Sequence, residues 1–258
     1  MLIVGEKLNS SNGQVKRALE EGDWPCVARL AVRQQQAGAQ ALDLNAGAFG
    51  GREAELLARM AEALPEEVTV PLWIDSAKPR VMEAIAGRLS HRTLVFNSAT
   101  LDPASLEPVS ALAARLQARM VVLALEKGRA LADERSLGEG LEALARRLEA
   151  CGLPRQQVWV DPVVLPLAFY PEDITRMLAL LSRIRAEGFK AVCGLSNVSY
   201  QMPRRRALHR ALLPSMMERG LDAVILDPTD RALMEIARAG EALFSEGEGV
   251  ADYIRAAR

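Results

Sequence analysis

The sequence is short of the residues that build disulfide frameworks and metal centres. It has three cysteines, Cys26, Cys151 and Cys193, odd in number and far apart. That excludes a disulfide scaffold as the organising device. It has two histidines, His91 and His209, and no CxxC, HxxxH or HExxH spacing. A zinc site built by this chain is therefore not expected. No Ser or Cys nucleophile is patterned with a His base. Both histidines read as surface helix residues, and Cys193, inside an apolar run, as a small core residue. There is no charge excess either, since the formal net charge is −1. No basic field exists to hold a nucleic-acid backbone or an anionic membrane surface. No stretch approaches the roughly 20 apolar residues of a membrane span. The first residues, MLIVGEKLN, lack a basic start and bring a charge too early for a secretory signal. A cytoplasmic location is the default expectation. No GxGxxG follows the first apolar run, which argues against a doubly wound dinucleotide-binding sheet. Nothing resembling a linker divides the chain, so residues 1–258 are read as one domain.

What is present is alternation. Short apolar, β-branched runs are followed by longer helical patterns. The runs are Leu2–Val4, Ala41–Leu44, Pro71–Ile74, Thr93–Phe96, Met120–Leu125, Val158–Val160, Ala191–Leu195 and Ala223–Leu226. The helical stretches run through Gln36, then Arg52–Ala63, Pro79–Leu89, Ala104–Gln117, Ser136–Ala150, Glu172–Ala186, Arg205–Arg219 and onward from Asp230. Repeated strand-then-helix units imply a parallel sheet with helical crossovers. Eight units in about 250 residues are the size of a TIM-type (β/α)₈ barrel. The low aromatic content, 4%, suits helices packed on such a sheet.

The apolar runs end in short polar groups: Glu6 and Asn9, Asp43 and Asn45, Asp75-Ser76, Asn97-Ser98, Asp161-Pro162, Ser196-Asn197, and Asp227-Pro228. In a barrel these ends share one rim, where the βα loops build the site. Asp, Asn and Ser are also ordinary cap and turn residues, and either role fits a single position. Asp43, alternating with Leu44, is a candidate for pairing inside the barrel. The nearest cations are Lys7 and Lys78. A rim rich in Asp and Asn suits a neutral heterocycle with a row of N–H and NH₂ donors. A phosphate would favour Arg, Lys or a glycine nest. Asp75 and Asp161, on the third and sixth of eight strands, are expected to face each other across the mouth and to accept such donors. The competing use of the carboxylates is magnesium.

The segments MLIVGEKLN, ALDLNAG, WIDSAKP, VFNSAT, WVDPVVLP and GLSNVSYQMPRRRALHRALL span nearly the whole chain in order. Together they resemble the pterin-binding methyltransferases. That family includes methyltetrahydrofolate:corrinoid/iron–sulfur protein methyltransferase and the folate module of cobalamin-dependent methionine synthase. The resemblance is greatest to standalone enzymes that pass methyl groups between a corrinoid protein and tetrahydrofolate. It implies that Asp75, Asn97 and Asp161 hydrogen-bond the pterin ring. It also implies that Asn197 stands near N5, the methyl-bearing nitrogen, as the catalytic group, with Ser196 beside it. Glu6, Asn9, Asn45 and Arg205 complete the expected binding set, and no metal is expected. The substrate is then tetrahydrofolate or its 5-methyl form. The DxHxxG loop that supplies an axial His to cobalamin is absent, so the cobalamin is expected on a separate corrinoid protein. A homodimer is the expected assembly.

The chain departs from the family in places. Tyr200 stands where the corrinoid/iron–sulfur members carry Gln. The later Arg of that loop is one of Arg204, Arg205 and Arg206. This basic run, with Arg210, reads either as a solvated helix start or as a contact for the folate glutamate tail or an acidic partner. A more distant likeness is to dihydropteroate synthase, whose loop after the first strand is replaced here by Asn9-Ser10-Ser11-Asn12-Gly13. Two alternatives therefore stand beside methyl transfer: a dihydropteroate-synthase-like enzyme, and a non-catalytic folate-binding or docking protein.

Overall fold

The computed structural model describes residues 1–89, 91–245 and 248–256. Its strands are β1 (Leu2–Asn9), β2 (Ala41–Asn45), β3 (Leu72–Asp75), β4 (Leu94–Thr100), β5 (Arg119–Leu123), β6 (Leu125–Glu126), β7 (Arg129–Ala130), β8 (Val158–Asp161), β9 (Lys190–Gly194) and β10 (Ala223–Leu226). Eight of them close a barrel in the order β1-β2-β3-β4-β5-β8-β9-β10, with β10 returning to β1. Every pairing in the barrel is parallel. The fold is a TIM (β/α)₈ barrel.

The helices α1 (Gly13–Glu21), α2 (Trp24–Gln36), α3 (Glu53–Glu62), α4 (Pro79–Arg88), α5 (Pro103–Leu116), α6 (Glu134–Cys151), α7 (Asp173–Ala186), α8 (Arg205–Glu218), α9 (Arg231–Phe244) and α10 (Glu248–Ala256) accompany the strands. No described helix is long and apolar enough to cross a membrane. Their apolar faces bury against the outward-pointing residues of the strands, such as Leu42, Leu72, Ile74, Phe96 and Val160.

Several boundaries differ from the sequence reading. The first strand runs on past Val4 to Asn9, because a bulge between Gly5 and Leu8 lets it keep pairing with β2. The first helical stretch is two helices. Gly22 turns the chain in the left-handed region at φ +72°, and the Asp23 side chain then caps α2 by accepting from the Cys26 N–H at 3.0 Å. The fourth strand continues to Thr100, so Asn97 and Ser98 lie within it rather than beyond it. The fifth run stops at Leu123, and residues 125–130 form the antiparallel hairpin β6–β7. A polar tip at Lys127-Gly128, with positive φ at both residues, turns that hairpin.

Candidate active site

Side chains alternate along a strand, so every second residue of a barrel strand points inward. One inward layer is apolar and takes a residue from each barrel strand: Val4, Ala41, Trp73, Val95, Val121, Trp159, Val192 and Ala223. Trp73 and Trp159 meet in this layer with ring centroids 5.4 Å apart and planes at 43°. The next inward positions toward the strands' C-terminal ends are Glu6, Asp43, Asp75, Asn97, Leu123, Asp161, Gly194 and Ile225. The barrel therefore has an apolar floor and, two residues higher, a ring dominated by carboxylates and one amide.

Hydrogen bonds within the ring hold these groups in fixed orientations. Asn97 Nδ2 donates to Asp43 Oδ1 at 2.9 Å. Asn45 Nδ2 donates to Asp75 Oδ2 at 2.9 Å. Asn45 Oδ1 in turn accepts from Ser10 Oγ at 2.8 Å and from the Gly47 N–H at 3.0 Å. Ser196 Oγ donates to Glu6 Oε1 at 2.8 Å. Asp161 Oδ1 accepts from the Val163 N–H at 2.7 Å. These pairings commit one of the two amide N–H groups of Asn97 and of Asn45 to a carboxylate, and among the described residues no side chain or backbone N–H donates to Asp75 Oδ1 or Asn97 Oδ1. The ring presents mainly acceptors.

Burial makes this arrangement costly for ionised carboxylates. It pushes Asp161 up to about 7, against the hydrogen bonds from Val163 and Gly194 and the more distant Arg176. Burial likewise raises Asp75 to about 6, opposed by the Asn45 amide and reinforced by Glu53. Asp43 is pushed well above the usual carboxylate range by burial, then by the neighbouring Asp75. Glu6 is raised by burial, against its Ser196 hydrogen bond and the charge of Lys7. A ligand offering several N–H donors would relieve these groups together.

The turn after β9 forms the other wall. Residues Leu195–Ser199 make a single 3₁₀ turn. Asn197 sits exposed on it, and its side chain lies back over Gly194. A Cβ on Gly194 would stand 3.3 Å from Asn197 Nδ2, so a larger residue would crowd the amide. A cavity of about 410 Å³ opens beside this turn, lined by Glu6, Lys7, Asn9, Ser196, Asn197, Tyr200, Arg205 and the Ser11-Asn12 turn. Asp75, Asn97 and Asp161 do not line that cavity. Glu6 belongs to both groups, as an inward residue of the ring and a wall of the cavity.

The structure thus brings Glu6, Asn45, Asp75, Asn97 and Asp161 to the inner face of the barrel, and Glu6, Asn9, Ser196, Asn197 and Arg205 to one cavity. Some sequence candidates also serve their own loops. Asn9 Oδ1 accepts from the Ser11 N–H at 2.9 Å and from Ser11 Oγ at 2.7 Å, so its carbonyl shapes the turn. Asp227 accepts from the Thr229 N–H and hydroxyl and pairs with Lys7 at 3.0 Å. Of the three consecutive arginines, Arg205 lines the cavity, Arg204 is exposed, and Arg206 pairs with Asp230 at the start of α9, as does Arg210 further along α8.

His209, expected on a helix surface, does lie on α8, but it is half-buried and its ring is engaged: Nε2 stands 2.7 Å from Ser199 Oγ, behind the turn that carries Asn197. The sequence spacing Ser199…Arg205…His209 holds the signal, since Arg205 and His209 share a helix face. Asp43 and Gly194 are further site residues. Asp43 was legible as an inward polar residue, while Gly194 is revealed by its neighbours alone.

A family model described as pterin binding enzyme matches residues 5–227. The chain belongs to that family. It is 27% identical over 263 residues to a methylcorrinoid:tetrahydrofolate methyltransferase of Eubacterium limosum, a match covering 100% of this chain and 96% of that protein. It is 23% identical to methionine synthase of Mycobacterium tuberculosis over 88% of this chain, which spans only 20% of that longer protein. Among solved structures, dihydropteroate synthase from Xanthomonas albilineans in complex with 7,8-dihydropteroate superposes with a TM-score of 0.71. It is 18% identical, over 95% of this chain and 94% of that one. Dihydropteroate synthase from Thermus thermophilus has a TM-score of 0.70 at 27% identity, over 94% of each chain.

Proposed function

We propose that this protein transfers a methyl group between a corrinoid carried by a separate protein and N5 of tetrahydrofolate. The observation that carries the reading is the acceptor-rich ring of Asp75, Asn97 and Asp161, with Asn197 on the neighbouring turn. The full-length relative from Eubacterium limosum supports it, since its name states this reaction.

In this reading the pyrimidinone edge of the pterin donates to Asp75 and Asp161. The Asn97 side chain, oriented by the N–H it gives to Asp43, turns its carbonyl to a further ligand N–H. A charge-assisted hydrogen bond of this kind contributes about 1.5–3 kcal/mol. Glu6 and Arg205 bound the outer part of the site. Asn197 faces N5. When the N5 lone pair takes a methyl group, the nitrogen becomes positive and releases its proton to water. In the reverse direction, N5 must gain positive charge before the carbon–nitrogen bond breaks. An amide serves both directions, because its carbonyl accepts from a protonated N5 and its N–H donates to a neutral one. Interactions that strengthen as charge develops act on the rate. The corrinoid itself supplies or accepts the methyl group.

The decisive experiment is an anaerobic assay of the purified protein with methylcobalamin and tetrahydrofolate, following formation of 5-methyltetrahydrofolate. Turnover supports the reading. Tight tetrahydrofolate binding without turnover, with either free cobalamin or a co-purifying corrinoid protein, would leave a folate-binding or docking protein. The superposition with dihydropteroate synthases keeps a second enzyme in play. Condensation of a pterin diphosphate with p-aminobenzoate would establish that activity instead. A homodimer is the assembly we expect. The exposed Leu243, Phe244, Val250, Tyr253 and Ile254 of α9 and α10 offer apolar surface for it, and sedimentation at micromolar concentration tests it.

A further inference from the structure

The turn carrying Asn197 is held from behind by Arg205 and by two side chains, Ser199 and His209, that the methyl-transfer reading does not use. Ser199, the last residue of the turn, is buried. Its Oγ lies 3.0 Å from the Ser196 carbonyl oxygen, across the turn from Asn197. Arg205 Nε donates to the same Oγ at 2.9 Å, and Arg205 Nη2 donates to the Ser196 carbonyl at 3.2 Å. His209, one helical turn beyond Arg205, places Nε2 2.7 Å from that Oγ.

A hydroxyl has one proton and two lone pairs. The Ser196 carbonyl can only accept, and the guanidinium can only donate. All four contacts are hydrogen bonds under one assignment alone. Ser199 gives its proton to the Ser196 carbonyl, and its lone pairs take Arg205 Nε–H and His209 Nε2–H. His209 then carries its proton on Nε2. In the other tautomer the hydroxyl proton would turn to the imidazole, and the Ser196 carbonyl would lose its bond across the turn.

We propose that His209 is a positioning residue: by donating from Nε2 to Ser199 it commits the Ser199 proton to the Ser196 carbonyl and fixes the turn that presents Asn197. The inference rests on the methyl-transfer reading for its consequence in rate, though not for its geometry. Burial, and after it the Arg205 guanidinium, hold the imidazole below its usual range, while Asp230 and Asp227 oppose them more weakly. The ring is therefore neutral where the tautomer matters, and its choice of nitrogen is a structural property. Among the described residues the hydrogen bond of His209 is to Ser199 and not to the ring of acceptors or Asn197, so it acts through the turn.

The test has two parts. The chain has two histidines, so His91→Gln leaves a single imidazole in a long-range ¹⁵N–¹H spectrum. The expected pattern is that of the Nε2–H tautomer, and an Nδ1–H pattern overturns the inference whatever the enzyme does. The second part is kinetic. His209→Leu should lower kcat five- to twentyfold while the Kd for tetrahydrofolate stays within twofold. His209→Gln, which keeps a side-chain N–H donor, should retain at least half of kcat. Ser199→Ala combined with His209→Leu should be no worse than the more damaging single change, because the two act as one unit. Equal losses in the Leu and Gln variants, or additive losses in the double variant, would sink the idea. A wild-type protein that transfers no methyl group would remove the functional reading and leave the tautomer to decide the inference.

Discussion

Trp73 and Trp159 meet inside the barrel with their rings 5.4 Å apart, and each stands two residues below one of the carboxylates assigned to the pterin, Asp75 and Asp161. At that spacing on a strand, the two acids rise from the same inner face as the indoles. Arg119 and Lys190 lie over the Trp159 ring, each 5.6 Å from its centroid. The indole pair thus forms the floor that fixes the height and spacing of the acids. Trp159→Ala should destabilise the protein by about 3–5 kcal/mol, as deletion of a large buried ring does. In urea unfolding followed by circular dichroism the midpoint should fall accordingly. A variant of wild-type stability would mean that the indole pair is not a supporting floor.

Tetrahydrofolate affinity should depend on both acids. Asp75→Ala and Asp161→Ala should each weaken binding at least tenfold, since each leaves a buried ligand donor unpaired at about 1–3 kcal/mol. Calorimetric titration measures this directly, and unchanged affinity in both variants would remove the pterin from this ring.

The same acids set a pH dependence. A carboxylate whose pKa is higher in the folded protein holds a proton that the unfolded chain has already released. Stability therefore declines as pH rises from the ordinary carboxylate range, and levels off above about 6 for Asp75 and about 7 for Asp161. A ligand that donates to the ionised acids shows the opposite trend, with affinity rising across the same interval. Thermal midpoints of the free protein and tetrahydrofolate titrations between pH 5 and 8 should thus slope in opposite directions. Asp161→Asn should flatten much of both slopes.

Asn197→Ala should separate rate from affinity. If the amide acts on developing charge at N5, methyl transfer should slow by about 10²–10³ while tetrahydrofolate binding changes little. Stopped-flow transfer rates beside a binding titration make the comparison. Parallel losses would leave Asn197 as a turn residue and move attention to Asn97 and Ser196.

Methyl transfer should survive EDTA, because the carboxylates of the ring are assigned to the heterocycle. Loss of activity that magnesium restores would reassign Asp75 and its neighbours to a cation.

The sequence by itself determined the barrel and most of the ring. Short apolar, β-branched runs followed by helical patterns admit few folds, and the polar residue closing each run falls on one rim wherever the strands are parallel. Asp75, Asn97, Asp161 and Asn197 were legible for that reason. Only the tertiary structure decided which polar ends are buried in the ring, since Asp161 and Asp227 each accept from the backbone N–H two residues on, yet Asp161 is buried while Asp227 is half-buried and paired with Lys7. It alone decided that Arg205, and not Arg206, reaches the cavity, because one residue along a helix rotates a side chain by about 100° and α8's docking sets the zero. It alone drew His209 behind Ser199 and left room over Gly194 for the Asn197 amide. Such facts belong to packing between elements, where side chains meet that the chain's own periodicity does not relate.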